Sequence, residues 1–235
     1  MKKPAEALIV ALDFSSAAEA LKLVDALGES VVFYKVGMQL YFAAGNSIIT
    51  ELQKRNKLIF LDLKINDIPE TVGKAVDSLV SLGVRYLTLF TQATQIEAAA
   101  AILKARGSDL KLLNVTVLTS QASTFAEVDA RARLSLAAGA HGLICSGLEA
   151  AELRRNHGQE PILVTPGIRL AEKANEPNER VASGSRKDDQ VRIVTPGDAI
   201  RGGATNIVVG RPITQAQNPR AVAQAILAEI EGALG

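Results

Sequence analysis

The sequence predicts a (β/α)8 TIM barrel, with residues 1–235 forming one domain, and three observations predict it. Eight short apolar runs recur along the chain, amphipathic segments separate them, and glycines stand just before several of the runs. Runs that are apolar throughout suit parallel strands covered on both faces. Glycine at a helix exit supplies the left-handed residue that turns the chain back toward the sheet. A chain of 235 residues is also close to the roughly 250 typical of one such barrel. An open, doubly wound sheet is the alternative, and the strand count disfavours it.

The elements follow in order. Leu8–Leu12 is apolar and stops at Asp13, and Ala17–Leu27 has helical spacing. Val31–Val36 is the second strand and Ser47–Arg55 its helix. Leu58–Leu63 is the third, and Ile68–Leu82 follows with proline in its first turn, where the missing N–H costs nothing. Tyr86–Phe90 with Ile96–Ala105, then Leu110–Val117 with Phe125–Ala138, repeat the unit. Gly142–Cys145, Ile162–Thr165 and Asn206–Val209 are strands six to eight, and Pro219–Leu234 closes the chain. Gly83, Gly139 and Gly203 precede strands four, six and eight. Thr195-Pro196-Gly197 reads as an N-cap and first helical turn. Residues Gly167 to Gln190 break the rhythm: polar and aperiodic, they follow strand seven on the face where barrel sites lie, and read as a lid over a ligand.

Composition excludes several classes. A formal net charge of +1 gives no electrostatic basis for nucleic-acid binding. No run approaches the roughly 18 apolar residues of a membrane span, and Ala7 to Leu12 is too short for a signal-peptide core. Cys145 is the only cysteine, so neither an internal disulfide nor a cysteine zinc site is expected, which suits a cytoplasmic setting. His141 and His157, the only histidines, read as structural.

The informative residues are charges at strand ends. Asp62 and Lys64 lie two apart on one strand, so both project into the barrel or both toward the helices. Lys35 ends the second strand and Asp13 the first, which brings Asp13, Lys35, Asp62 and Lys64 to one neighbourhood on the rim. As packing alone such a cluster would be costly, because desolvation can exceed the Coulomb attraction. Charges at this rim are expected to do chemistry. Asp67 stands at the entry to the next helix, where it could also serve as its N-cap. At the end of strand eight, Gly210 and Arg211 offer a close backbone approach and a planar fork suited to phosphate oxygens.

The segment Asp62-Leu63-Lys64-Ile65-Asn66-Asp67-Ile68-Pro69-Glu70-Thr71 resembles the D-x-K-x-x-D-I-P-x-T signature of the orotidine 5′-monophosphate decarboxylase family. The resemblance runs nearly end to end. It takes in Ala11-Leu12-Asp13, Lys35-Val36-Gly37 and Thr116-Val117-Leu118-Thr119-Ser120, then Val164-Thr165-Pro166-Gly167-Ile168-Arg169 and Val209-Gly210-Arg211-Pro212-Ile213-Thr214. It implies a cofactor-free and metal-free decarboxylation of orotidine 5′-monophosphate to UMP, with Lys35, Asp62, Lys64 and Asp67 as an alternating catalytic array. It also implies a homodimer in which Asp67 and Thr71 reach the other subunit's site. Lys35 and Asp13 would meet the ribose hydroxyls, and Thr119 or Ser120 the pyrimidine. Pro166 would line the substrate, and Gln190, Gly210 and Arg211 would hold the phosphate.

Two departures stand beside these residues: Asn66 where bacterial relatives often have histidine, and Phe90-Thr91-Gln92-Ala93 in place of a His-Ala-x-Gly type segment. The competing enzyme class is a 3-keto-L-gulonate 6-phosphate decarboxylase-like protein, whose metal-stabilised enediolate wants a carboxylate where Lys35 stands. A non-catalytic nucleotide-binding barrel is the competing non-enzyme, and it would not need the alternating array.

Overall fold

A computed structural model describes residues 4–118, 121, 123–170 and 194–235. Its eight parallel strands close in sequence order, β1 against β2 and so on to β8, which returns to β1. They are β1 Leu8–Leu12, β2 Phe33–Gly37, β3 Leu58–Ile65, β4 Tyr86–Leu89, β5 Lys111–Val115, β6 Gly142–Ile144, β7 Ile162–Thr165 and β8 Asn206–Val209. The helices are α1 Pro4–Ala7, α2 Ala17–Leu27, α3 Met38–Ala44, α4 Asn46–Lys54, α5 Pro69–Val80 and α6 Ala93–Arg106. They continue with α7 Phe125–Ala137, α8 Gly147–His157, α9 Pro196–Arg201, α10 Arg211–Thr214 and α11 Pro219–Leu234. Among the described residues no helix is long and apolar enough to cross a membrane.

Alternation along each strand builds two cores. One side chain set (Leu8, Val10, Tyr34, Val36, Ile59, Leu61, Leu87) packs outward under the helices. The other (Ile9, Ala11, Phe33, Phe60, Tyr86, Leu113, Val164, Val208) fills the interior. The Phe33 and Tyr86 rings are 5.1 Å apart and those of Phe60 and Tyr86 5.9 Å, in tilted and edge-on contacts that rings prefer to stacking face to face. Below them the Tyr86 hydroxyl meets Asn206 Oδ1 at 3.2 Å, and Asn206 donates to the Glu6 carbonyl at 2.7 Å. The N-terminal α1 is thereby tied to the barrel floor.

Several element ends differ from the sequence expectation, for local reasons. β5 stops at Val115 rather than Val117, because its partner β6 is only three residues long and parallel pairing ends with the shorter strand. β3 continues to Ile65, drawn on by pairing with Leu89. α3 was not anticipated: it begins directly after Gly37, where the sequence suggested only a connection. Asp67 is not the N-cap of α5. Ile68 holds that position, and the Asp67 carboxylate accepts from the Ile68 N–H at 2.7 Å instead. Thr195 does cap its helix, accepting from Asp198 N.

Candidate active site

Two residues beyond the apolar interior, the inward positions turn polar. Asp13 follows Ala11, Lys35 follows Phe33, Asp62 follows Phe60, and Thr88 follows Tyr86. The parallel register sets these side by side: Ala11 pairs with Lys35, Lys35 with Phe60, and Gly37 with Asp62. Asp62 and Lys64 therefore point into the barrel, which decides the choice that strand alternation left open.

The charges form one chain. Lys35 Nζ lies 3.0 Å from Asp13 Oδ1 and 3.5 Å from Asp62 Oδ2, and Lys64 Nζ lies 2.7 Å from Asp62 Oδ1. Asp62 Oδ1 accepts a second bond, from the Thr88 hydroxyl at 2.8 Å. Exposure grades along this chain: the side chains of Lys35 and Asp62 are 13% and 12% exposed, Lys64 30%, and Asp13 60%. The inner pair is thus part of the fold, while Lys64 and Asp13 face the mouth, where a ligand can reach them. Gly37 keeps the space open. A Cβ there would stand 3.2 Å from Lys35 Nζ and 3.4 Å from Asp13 Oδ1, crowding the pair.

Electrostatics keep the inner pair ionised. Burial by itself would raise the Asp62 pKa, but Lys35 and Lys64, with their hydrogen bonds and that of Thr88, outweigh it and hold the carboxyl below the usual aspartate value. For Lys35 burial pulls downward, and Asp62 and then Asp13 outweigh it, holding the ammonium above the ordinary lysine value.

The remaining expected residues are distributed around this rim. Gly210 directly follows β8 next to Asp13, its α-carbon facing Asp13 Oδ2 so that an added Cβ would be 3.7 Å away. Arg211, half-buried, opens α10 beside it. Pro166 is half-buried just past β7. Ile168 pairs with Val194, and Arg169 N donates to Val194 O at 3.1 Å, so the two stems of the long polar segment meet at the barrel rim. Thr119, Ser120 and Gln190, with most of the expected lid, lie outside the described residues. Asp67 and Thr71 are exposed, and among the described residues Asp67 joins no ion pair with Lys35 or Lys64. Three members of the expected array stand together and the fourth projects from the surface. The departures Asn66 and Phe90 line a common cleft of about 490 Å³ between the start of α6 and the Arg131–Ser135 face of α7.

Both histidines are occupied away from this mouth. His141 Nδ1 accepts from Leu112 N at 3.1 Å, and His157 Nε2 lies 2.8 Å from Asp129 Oδ1. Thr88 was not singled out from the sequence. The signal was available: it is the only polar residue in Tyr86–Leu89 whose side chain lacks an aromatic ring, and it shares a face with Tyr86.

Known proteins resemble this chain in sequence and in fold. The sequence profile described as the Orotidine 5′-phosphate decarboxylase / HUMPS family matches residues 6–226. An orotidine 5′-phosphate decarboxylase of Rhodopseudomonas palustris strain BisB5 is 45% identical over 235 residues, covering 95% of this chain and 94% of the relative. One from Methylobacterium radiotolerans is 41% identical, covering 97% of each. The crystal structure of the orotidine 5′-phosphate decarboxylase from Lactobacillus acidophilus superposes with a TM-score of 0.78 at 35% identity, covering 95% of this chain and 98% of that one.

Proposed function

The chain belongs to the orotidine 5′-phosphate decarboxylase / HUMPS family, and from that premise we propose that it converts orotidine 5′-monophosphate to UMP and CO2, the last step of de novo pyrimidine nucleotide synthesis. The observation that carries the reading is the Lys35–Asp62–Lys64 chain at the barrel mouth. In the reaction the bond between C6 and the carboxylate carbon breaks, CO2 departs, and the electron pair stays on C6. A fixed cation is most effective where such charge develops in a site closed to water. Lys64 is that cation, and its ammonium then delivers a proton to C6. No cofactor takes part in this scheme.

Asp62 has two tasks here. It holds the Lys64 ammonium at 2.7 Å, and it remains an anion beside the departing carboxylate. Lys35 and Asp13 meet the ribose hydroxyls, a role that the exposure of Asp13 supports. Gly210, Arg211 and Gln190 take the phosphate, Thr119 or Ser120 the pyrimidine, and Pro166 the ring edge. Phosphate binding after strands seven and eight is common in this architecture. Binding energy from that remote group can then be used at C6.

The protein acts as a homodimer, with Asp67 and Thr71 reaching the partner's site. Support comes from the turn that carries them: Asp67 and Thr71 are exposed, and Ile68 between them leaves a large apolar side chain 63% exposed. The test is the absorbance change when EDTA-treated protein meets orotidine 5′-monophosphate. Metal-free conversion to UMP is expected. Folded protein without turnover would overturn the reading, and a magnesium-dependent assay on a sugar-phosphate keto acid would then follow.

A further inference from the structure

Lys64 has a backbone that lysine rarely adopts. Its φ is +50°, in the left-handed region, where residues other than glycine persist only when their surroundings over-determine them. The irregularity has a definite place in the sheet. Leu61 pairs with Leu87 and Ile65 with Leu89, so Asp62, Leu63 and Lys64 stand opposite Thr88 alone. At such a bulge the chain bends and re-aims a side chain.

Thr88 holds this bend with two hydrogen bonds, and a third closes the loop between its two partners. Its hydroxyl accepts from the Lys64 amide N–H at 2.9 Å and donates to Asp62 Oδ1 at 2.8 Å. The same Asp62 oxygen accepts from Lys64 Nζ at 2.7 Å. The result is a closed circuit: Lys64 backbone to Thr88 hydroxyl, hydroxyl to Asp62, and Asp62 back to the Lys64 ammonium. Thr88 itself is fully buried, beneath the mouth and out of a ligand's reach. A lysine has four rotatable side-chain bonds and an ammonium that could point many ways. Fixing both its backbone and its counter-ion from one hydroxyl removes most of that freedom before substrate arrives.

We propose that Thr88 is a positioning residue for the decarboxylation, its hydroxyl locking the left-handed bend at Lys64 and the carboxylate of Asp62 so that the ammonium is aimed at the reacting carbon. This rests on the function proposed above. Because Thr88 touches no ligand, its loss lowers kcat and leaves KM in place, the mark of an interaction made only in the transition state.

The experiment compares Thr88→Val, which keeps shape and removes the hydroxyl, with Thr88→Ser, which keeps the hydroxyl. In folded protein kcat is expected to fall roughly 100-fold in the valine variant, the scale of a misplacement of about 1 Å, and to stay within about threefold in the serine variant. KM should hold in both. A valine variant with parental kcat, or a serine variant as impaired as valine, overturns the assignment, as does a loss that falls on KM. Should Thr88→Val not fold, Thr88→Ala is read by the same split. Exchange of the Lys64 amide proton reports the bond without turnover: it should be slow in the parent and the serine variant and fast in the valine variant. Equal exchange in all three would also overturn the proposal. An inactive parent would instead strike at the function itself, and the amide exchange would still decide whether the lock exists.

Discussion

Replacing Asp62 by asparagine removes the one anion that sits between two ammonium groups. The carboxylate lies 3.5 Å from Lys35 Nζ and 2.7 Å from Lys64 Nζ. With an effective dielectric of about 20, these contacts amount to roughly 5 and 6 kcal/mol of gross Coulomb attraction. Desolvation of the buried groups takes back most of this, so the net effect is smaller. Removing one partner of a buried pair typically costs about 3–5 kcal/mol, because the other charge is left uncompensated. Here Lys35 keeps Asp13 at 3.0 Å and Lys64 can turn toward the mouth, which places the cost near the lower figure, about 3 kcal/mol. For a chain of this size that lowers Tm by roughly 6–12 °C.

The pH dependence of that loss is also fixed in sign. The folded pKa of Asp62 is held below its ordinary value of 3.8, so its stabilisation is present above that value and is lost as pH falls through the folded one. The difference between parent and Asp62→Asn should therefore be constant from about pH 5 to 8 and shrink below about pH 4. Urea denaturation at several pH values measures it. A change in Tm below about 2 °C at pH 7, or a difference undiminished at the lowest pH where the parent still folds, would refute the reasoning.

Other expectations concern the site and its frame. Lys64→Ala should lower turnover by at least about 10³-fold in a barrel that still folds, as removal of both the cation and the proton donor requires; near-parental turnover would remove Lys64 from the mechanism. If Asp67 acts across a dimer, refolding a mixture of Lys64→Ala and Asp67→Asn chains should restore activity that neither has alone, through the mixed dimer's one intact site. No recovery in demonstrated heterodimers would place Asp67 in its own subunit's site or outside any site. Arg211→Ala should weaken UMP binding by roughly 10- to 100-fold, the value of a charge-assisted phosphate contact, and calorimetry finding unchanged affinity would move the phosphate elsewhere. Arg154→Met tests the frame alone. The buried guanidinium donates to the Gly203, Gly158, Gln159 and Pro161 carbonyls and to Thr205 Oγ1, so its loss should cost about 3 kcal/mol in urea unfolding with Lys64 untouched.

The sequence by itself determined the barrel and most of its strand positions. β1, β7 and β8 fall where their short apolar runs lie, since such a run, bounded by polar or turn residues, suits a strand covered on both faces. It also determined that Asp13, Lys35, Asp62 and Lys64 share one rim, because strand ends are legible and neighbouring strands put their ends together. Strand limits set by a partner were not legible: the end of β5 depends on how short β6 is, and that length belongs to the pair. The direction of Asp62 was likewise undecided, since alternation gives two faces and only closure of the barrel says which is inside.

The sequence shows Thr88 only as a polar residue on the same face as Tyr86, and its task was decided by the tertiary structure. Its hydroxyl matters because three residues of β3 oppose one of β4, and a register shift between strands over twenty residues apart leaves no mark in either segment. The backbone of Lys64 has the same origin. Nothing in a lysine codon asks for φ of +50°; the circuit through Thr88 and Asp62 holds it there. Periodicity reports what each segment prefers on its own, while the aim of an ammonium group depends on contacts that exist only once the strands are paired.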